Sequence, residues 1–158
     1  SVTGVQTCAL PILKYMKLCA TIANIFSTCS KRKYGAILVD ELDHVVGFGY
    51  NGGPRNSIHC DDGGCPRVAQ NSPNGSNYDN CIAIHAEANA ILHSDYSAKP
   101  KKIYVNGPPC FGCAKLICNS TVTDVYYVED SNYLEWDRVN KFLNDHQVKT
   151  WKVEYASV

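Results

Sequence analysis

The chain has 158 residues, with fifteen Lys and Arg against fifteen Asp and Glu and a formal net charge of zero. That length is one domain with room for a buried core, and a zero net charge excludes the broad positive field that draws proteins onto duplex DNA or anionic membrane. No run approaches a membrane span, and the start does not show a charged, an apolar and a cleavage region in succession, so a cytoplasmic protein acting on a small molecule is expected.

Residues 1–12, which include "VTGVQTCALPI", read like a translated sequencing adapter and are set aside as non-native, leaving 13–158 as the domain. Of the nine cysteines, Cys8 falls in that segment. The remaining cysteines, in a chain with no secretory signal, point to metal ligands and buried thiols rather than a disulfide framework, with Cys19 and Cys118 best suited to the core. From Leu13 to about Cys29, apolar residues at helical spacing predict an amphipathic first helix, ending in a basic turn that holds Lys31, Arg32 and Lys33. "GAILVD" and "HVVGFGYN" then read as a hairpin.

Residues 51–80 are rich in Gly, Pro, Asn, Asp and Ser and lack periodicity. A loop this long in a compact domain is functional or clamped, and Cys60, Cys65 and Cys81 suggest the clamp. A helix over 83–94, a strand at "KIYVNG", a helix over 110–119, a strand at "DVYYVED", a helix over 133–146 and a strand at "KTWKVEY" complete the chain. Strands alternating with helices after a hairpin imply a mixed, largely parallel five-stranded sheet covered on both faces, a three-layer α/β/α sandwich.

Two stretches carry chemistry. "HAEANAIL" places His85 and Glu87 at a helix mouth, and "PPCFGC" places Cys110 and Cys113 three apart at another, with both sulfurs on one face. Orphan N–H groups and partial positive charge at a helix start favour the thiolate that a metal needs. One nitrogen and two sulfur ligands suit Zn²⁺, and three protein ligands leave a fourth position for water, the mark of a catalytic site. Glu87 then has a water to deprotonate. H-x-E followed by P-C-x-x-C is the general signature of zinc nucleobase deaminases, and the two halves together are far more specific than either alone.

With "GYNGGPRN" and "PPCFGCAKLI", these stretches resemble the deoxycytidylate (dCMP) deaminase family of the cytidine deaminase superfamily, including phage and bacterial members. The likeness runs from about Tyr15 to Glu154. The resemblance implies the cytidine-deaminase-like sandwich and hydrolytic deamination of dCMP to dUMP and ammonia, with Glu87 moving protons from water to N3 and the leaving amine. It implies that Asn51 bonds the sugar hydroxyl, that the Ala86 N–H holds the pyrimidine carbonyl and that the Pro109 carbonyl faces the departing amine. Asn51 has the alternative role of a turn residue. The resemblance also implies a second, structural zinc held by Cys29, His59, Cys65 and Cys81, with Cys60 spare, and a homo-oligomer, often a hexamer.

Two departures stand out. Ser131 occupies the place of a nucleotide-holding tyrosine, with Tyr133 as a substitute, and Asn106-Gly107-Pro108 replaces a Thr-led approach to Pro109-Cys110. Arg55, Lys31 and Lys33 are the cations nearest in sequence to the site elements and the candidates for a 5′-phosphate. The competing reading is a cytosine deaminase of single-stranded DNA or RNA. It requires an aromatic and basic channel that zero net charge disfavours.

Overall fold

Two β-branched, apolar runs joined by a short polar turn form the first hairpin, strands β1 (Gly35–Val39) and β2 (Val45–Tyr50) of a computed structural model that describes residues 9–155. Asp40 closes the turn: its Oδ1 accepts from the backbone N–H groups of Leu42 and His44, each at 2.9 Å, while Asp43 takes a left-handed φ of 63°. Strand β3 (Lys102–Val105) pairs antiparallel with β1, and β4 (Asp124–Tyr127) and β5 (Lys149–Lys152) add in parallel, giving the order β2-β1-β3-β4-β5. The sheet is mixed as expected but not mostly parallel, because β1 runs against both of its neighbours.

Period-two alternation gives the sheet two apolar faces. Ile37, Val39, Tyr104 and Tyr126 pack with Met16, Cys19 and Ile22 of helix α1 (Ala9–Phe26). Ala36, Leu38, Ile103, Val105, Val125 and Tyr127 pack on the other face, with Ala86, Ala90, Ala114, Ile117, Val139 and Leu143. Those six come from α3 (Ala86–Leu92), α4 (Phe111–Cys118) and α5 (Trp136–Asp145), so the α/β/α layering follows directly from the alternation. A one-turn helix, α2 (Pro66–Ala69), and two 3₁₀ turns at 60–62 and 78–80 break the long loop.

Three boundaries differ from the sequence reading. Residues 1–8 of the segment set aside lie outside the described residues, but α1 begins at Ala9 and Ile12 is buried in its core. The same helix stops at Phe26 rather than near Cys29, because the Ser27 hydroxyl leaves the helix direction to donate to the Asn51 carbonyl at 2.9 Å. Helix α3 starts at Ala86 rather than Ala83, because Ile84 is held extended by an antiparallel bridge to Gly52, with N···O distances of 2.8 and 3.2 Å.

Candidate active site

That late start fixes the chemistry of His85. As the N-cap of α3 it has extended backbone angles, φ −70° and ψ 153°, and its imidazole projects from the helix mouth. Cys110 is the N-cap of α4, and its Sγ accepts from the Cys113 N–H at 3.5 Å. The two helix mouths meet: His85 Nδ1 lies 3.3 Å from Cys110 Sγ and 3.4 Å from Cys113 Sγ. Glu87, the second residue of α3 and only 6% exposed, accepts from the Cys113 thiol at 3.7 Å.

The ligand atoms of His85, Cys110 and Cys113 all lie within 4.8 Å of one another. A tetrahedral zinc with the usual Zn–N and Zn–S bonds would separate its nitrogen and sulfur ligands by about 3.5 Å, so these three side chains fit the ion as they stand. The neighbouring groups displace one another's pKa values. Cys110 is brought down to about 4, chiefly by the Cys113 hydrogen bond and then by His85. Cys113 is pushed up because it supplies that proton and because it is buried. His85 is raised by its bond to Cys110, and Glu87 is raised by burial. Among the described residues no cysteine is in a disulfide.

Gly49 and Asn89 set α3 at its height above the sheet. A Cβ on Gly49 would lie 2.3 Å from Ala90 N and 2.4 Å from Ala86 O, so the helix rests directly on β2. Asn89 Nδ2 adds a bond to the Tyr50 carbonyl at 2.8 Å.

The other nominated residues divide. Asn51 is buried, and its amide is largely engaged within the chain: Oδ1 accepts from the Tyr34 N–H and the Ser27 hydroxyl, and Nδ2 donates to the Arg32 carbonyl at 2.8 Å. One amide hydrogen remains for a ligand. Ala86 is buried at the first position of α3, where helical N–H groups have no partner inside the helix, and Pro109 is buried just before Cys110. Tyr133 stands near the site cysteines, and burial together with the Cys110 charge pushes its phenol up to about 12. With Pro108, Glu129, Asp130 and Trp136 it lines a cavity of about 250 Å³ beside the metal triangle.

Of the nominated cations, Lys31 turns away and donates to the Ser72 carbonyl at 3.2 Å, while Lys33 and Arg55 are exposed. His59 is exposed too, whereas its neighbour Cys60 is buried beside Cys65, with Cys29 and Cys81 close enough to act on its charge. Burial and those thiols push Cys60 up to about 11. The 59–65 segment is drawn to Cys29 by the bond from Asp61 N–H to the Thr28 carbonyl at 3.0 Å. The sequence reading missed Tyr34 and Asp130. The Tyr34 ring lies where a Cβ on Gly107 would sit 2.6 Å from its Cε1, which explains why a glycine precedes Pro108-Pro109. Asp130 pairs with Arg32 at 2.7 Å.

The fold and the site together define an α/β/α protein with a three-ligand zinc-type centre, one imidazole and two thiols, beside a buried carboxylate. The chain belongs to the cytidine and deoxycytidylate deaminase family, matching its zinc-binding region over residues 11–129. It is 37% identical over 115 residues to a deoxycytidylate deaminase of Saccharomyces cerevisiae, covering 72% of this chain and 36% of that protein. It is also 37% identical over 118 residues to the deoxycytidylate deaminase of Mycobacterium phage D29, covering 71% of this chain and 90% of that protein. The chain thus spans about a third of the length of its Saccharomyces cerevisiae and Schizosaccharomyces pombe relatives and nearly all of the phage one. In fold it is similar to the dCMP deaminase of cyanophage S-TIM5 solved in complex with dCMP and dUMP, with a TM-score of 0.65 at 23% identity over 89% of this chain and 94% of that one.

Proposed function

We propose that this chain is a zinc-dependent hydrolase that converts dCMP and water to dUMP and ammonia. The observation that carries the reading is the meeting of His85, Cys110 and Cys113 within 3.4 Å of the imidazole, with Glu87 buried against Cys113. A zinc ion held by these three would act as a Lewis acid that lowers the pKa of water toward neutrality. Glu87 takes the first proton that water loses on attack at C4 and delivers it to N3, then takes the remaining proton from the hydroxyl now on C4 and hands it to the departing amine. Water becomes the new C4 oxygen and the C4–N bond breaks. The Ala86 N–H is placed to hold the pyrimidine carbonyl, the Pro109 carbonyl to receive the leaving amine, and the free Asn51 amide hydrogen to bond a sugar hydroxyl. Tyr133 closes the cavity on the α5 side.

The yeast and phage relatives named for deoxycytidylate support dCMP as the substrate. Incubation with dCMP, dCTP, deoxycytidine and a cytosine-bearing oligonucleotide, with uracil products counted, tests it. Turnover concentrated in dCMP is expected, and turnover confined to the oligonucleotide would replace this reading with a single-strand deaminase.

A second zinc belongs in the loop, held by Cys29, Cys60, Cys65 and Cys81. The buried thiol of Cys60 supports it as the fourth ligand in place of the exposed His59. Such a clamp offsets the closure entropy of the loop and ties it to the end of α1. A homo-oligomer is supported by aromatic surface at the β2 edge, where Phe26 lies 6.2 Å from the exposed Phe48 and stacks on Tyr50 at 5.5 Å. A cytoplasmic setting fits this nucleotide chemistry, and among the described residues no helix is long and apolar enough to cross a membrane. Resequencing of the coding region tests the foreign origin of residues 1–12.

A further inference from the structure

Tyr34 is the last residue before β1, and its backbone is tied to Asn51 in both directions. The Tyr34 N–H donates to Asn51 Oδ1 at 2.8 Å, and the Asn51 N–H donates to the Tyr34 carbonyl at 3.2 Å. The ring packs on the face of the sheet that carries Ala86 and Ala114, the side of α3 and α4. There it meets Gly107, where an added Cβ would lie 2.6 Å from Tyr34 Cε1, 3.2 Å from Cδ1 and 3.6 Å from Cζ. The φ of Gly107 is outside the left-handed region, so the backbone does not call for a glycine at that point. The ring does. Space that a side chain at 107 would fill, two residues before Pro109, is filled from the edge of β1 instead.

The guanidinium of Arg32 lies 5.4 Å from the centre of this ring and is itself held by Asp130 at 2.7 Å. Burial pushes the Tyr34 phenol up to about 12, and Glu87 is close enough to add to the rise. A tyrosine that served packing alone would have its hydroxyl satisfied by the protein. Among the described residues the Tyr34 hydroxyl has no hydrogen-bond partner, and it is not sealed in: the one sealed side-chain polar atom without a partner is the Thr28 hydroxyl. The ring therefore ends in open space beside Asn51, Gly107 and Glu87. In the proposed reaction these border the sugar, the approach to the amine acceptor and the proton carrier, so what fills that space is the base. We propose that Tyr34 is a specificity-determining residue of the site, its ring the wall on which the pyrimidine packs in place of a side chain at 107. This rests on the reading of the chain as a cytosine-nucleotide deaminase.

The test is kcat/KM for dCMP and calorimetric binding of dUMP, measured on the zinc-loaded full chain with zinc content and melting temperature alongside. Tyr34→Ala is expected to lower kcat/KM and to weaken dUMP binding about ten- to a hundredfold, the worth of a ring against a base, with zinc content unchanged. Tyr34→Phe keeps the ring and should stay within about threefold of the parent in both. Gly107→Ala drives a Cβ into the ring and should weaken dUMP binding in the parent but add nothing in Tyr34→Ala, a coupling that two unrelated packing defects do not produce. Parental dUMP binding in Tyr34→Ala, equal losses in Tyr34→Phe and Tyr34→Ala, or additive losses in the double variant would overturn the proposal. Should the parent fail to deaminate dCMP, the functional reading falls by itself. Binding of dUMP then decides for Tyr34: weaker binding in Tyr34→Ala supports the wall, whereas equal affinity or no binding to the parent refutes it.

Discussion

Gly49→Ala tests how strictly the sheet sets the catalytic helix. The added Cβ would sit 2.3 Å from Ala90 N, 2.4 Å from Ala86 O and 2.9 Å from Asn89 C, all backbone atoms with no rotamer to yield. Ordinary contact begins near 3.5 Å, so β2 and α3 must part by about 1 Å. The parting strains the Asn89–Tyr50 bond and the Gly52–Ile84 bridge that pin the same helix. Overpacking of this kind costs about 1–3 kcal/mol, which in a domain of this size lowers the melting temperature by roughly 2–12 °C. The displacement carries His85 and Glu87 away from Cys110 and Cys113, which ride on α4, and a misplacement of about 1 Å can cost on the order of a hundredfold in rate. Scanning calorimetry, zinc content by mass spectrometry and kcat/KM on dCMP are the assays. A variant that melts within a degree of the parent and turns over within twofold of it would refute the idea that β2 fixes the height of α3.

Other consequences follow from burial and partners. In metal-free protein Glu87 is held above its ordinary value by burial, so its neutral form favours folding and that contribution fades as pH rises through the raised pKa. Metal-free Glu87→Gln should therefore melt higher than the metal-free parent at pH 8, with the gap closing toward pH 4; a gap that widens in acid contradicts this. Cys60→Ser should halve the zinc content of a two-zinc protein while His59→Ala leaves it intact, and the reverse pattern would restore the histidine as the ligand. Asn51→Ala removes the partner of Ser27, Tyr34 and the Arg32 carbonyl and should cost about 2–4 kcal/mol of stability by denaturant titration, beyond any effect on substrate; an unchanged midpoint would show that the web is not holding the segment.

The site was legible in the sequence wherever its geometry is local. The spacing of His85 to Glu87 and of Cys110 to Cys113 fixes which helical face each side chain takes, whereas the packing of both helices on one face of the sheet emerges only in the fold. What stayed hidden depends on pairs far apart in the chain. Nothing near Ala83 shows that Gly52 will hold Ile84 extended and delay the start of α3 to Ala86. His59 and Cys60 are adjacent and both chemically fit to bind metal, and only the path of the loop against Thr28 decides which one turns inward. Arg32 looked like one member of a solvated basic strip until the chain beyond β4 delivered Asp130 to it. The buried amide of Asn51 organises the start of β1 through Tyr34 and Arg32.

The most direct measurement is the zinc content and dCMP turnover of Glu87→Gln purified beside the parent. The amide preserves shape and leaves His85, Cys110 and Cys113 untouched but cannot move a proton. Zinc should therefore equal that of the parent while kcat falls by about 10²–10⁴-fold. Turnover at the parental rate with zinc retained would contradict the account, because the buried carboxylate beside Cys113 would then have no part in the chemistry.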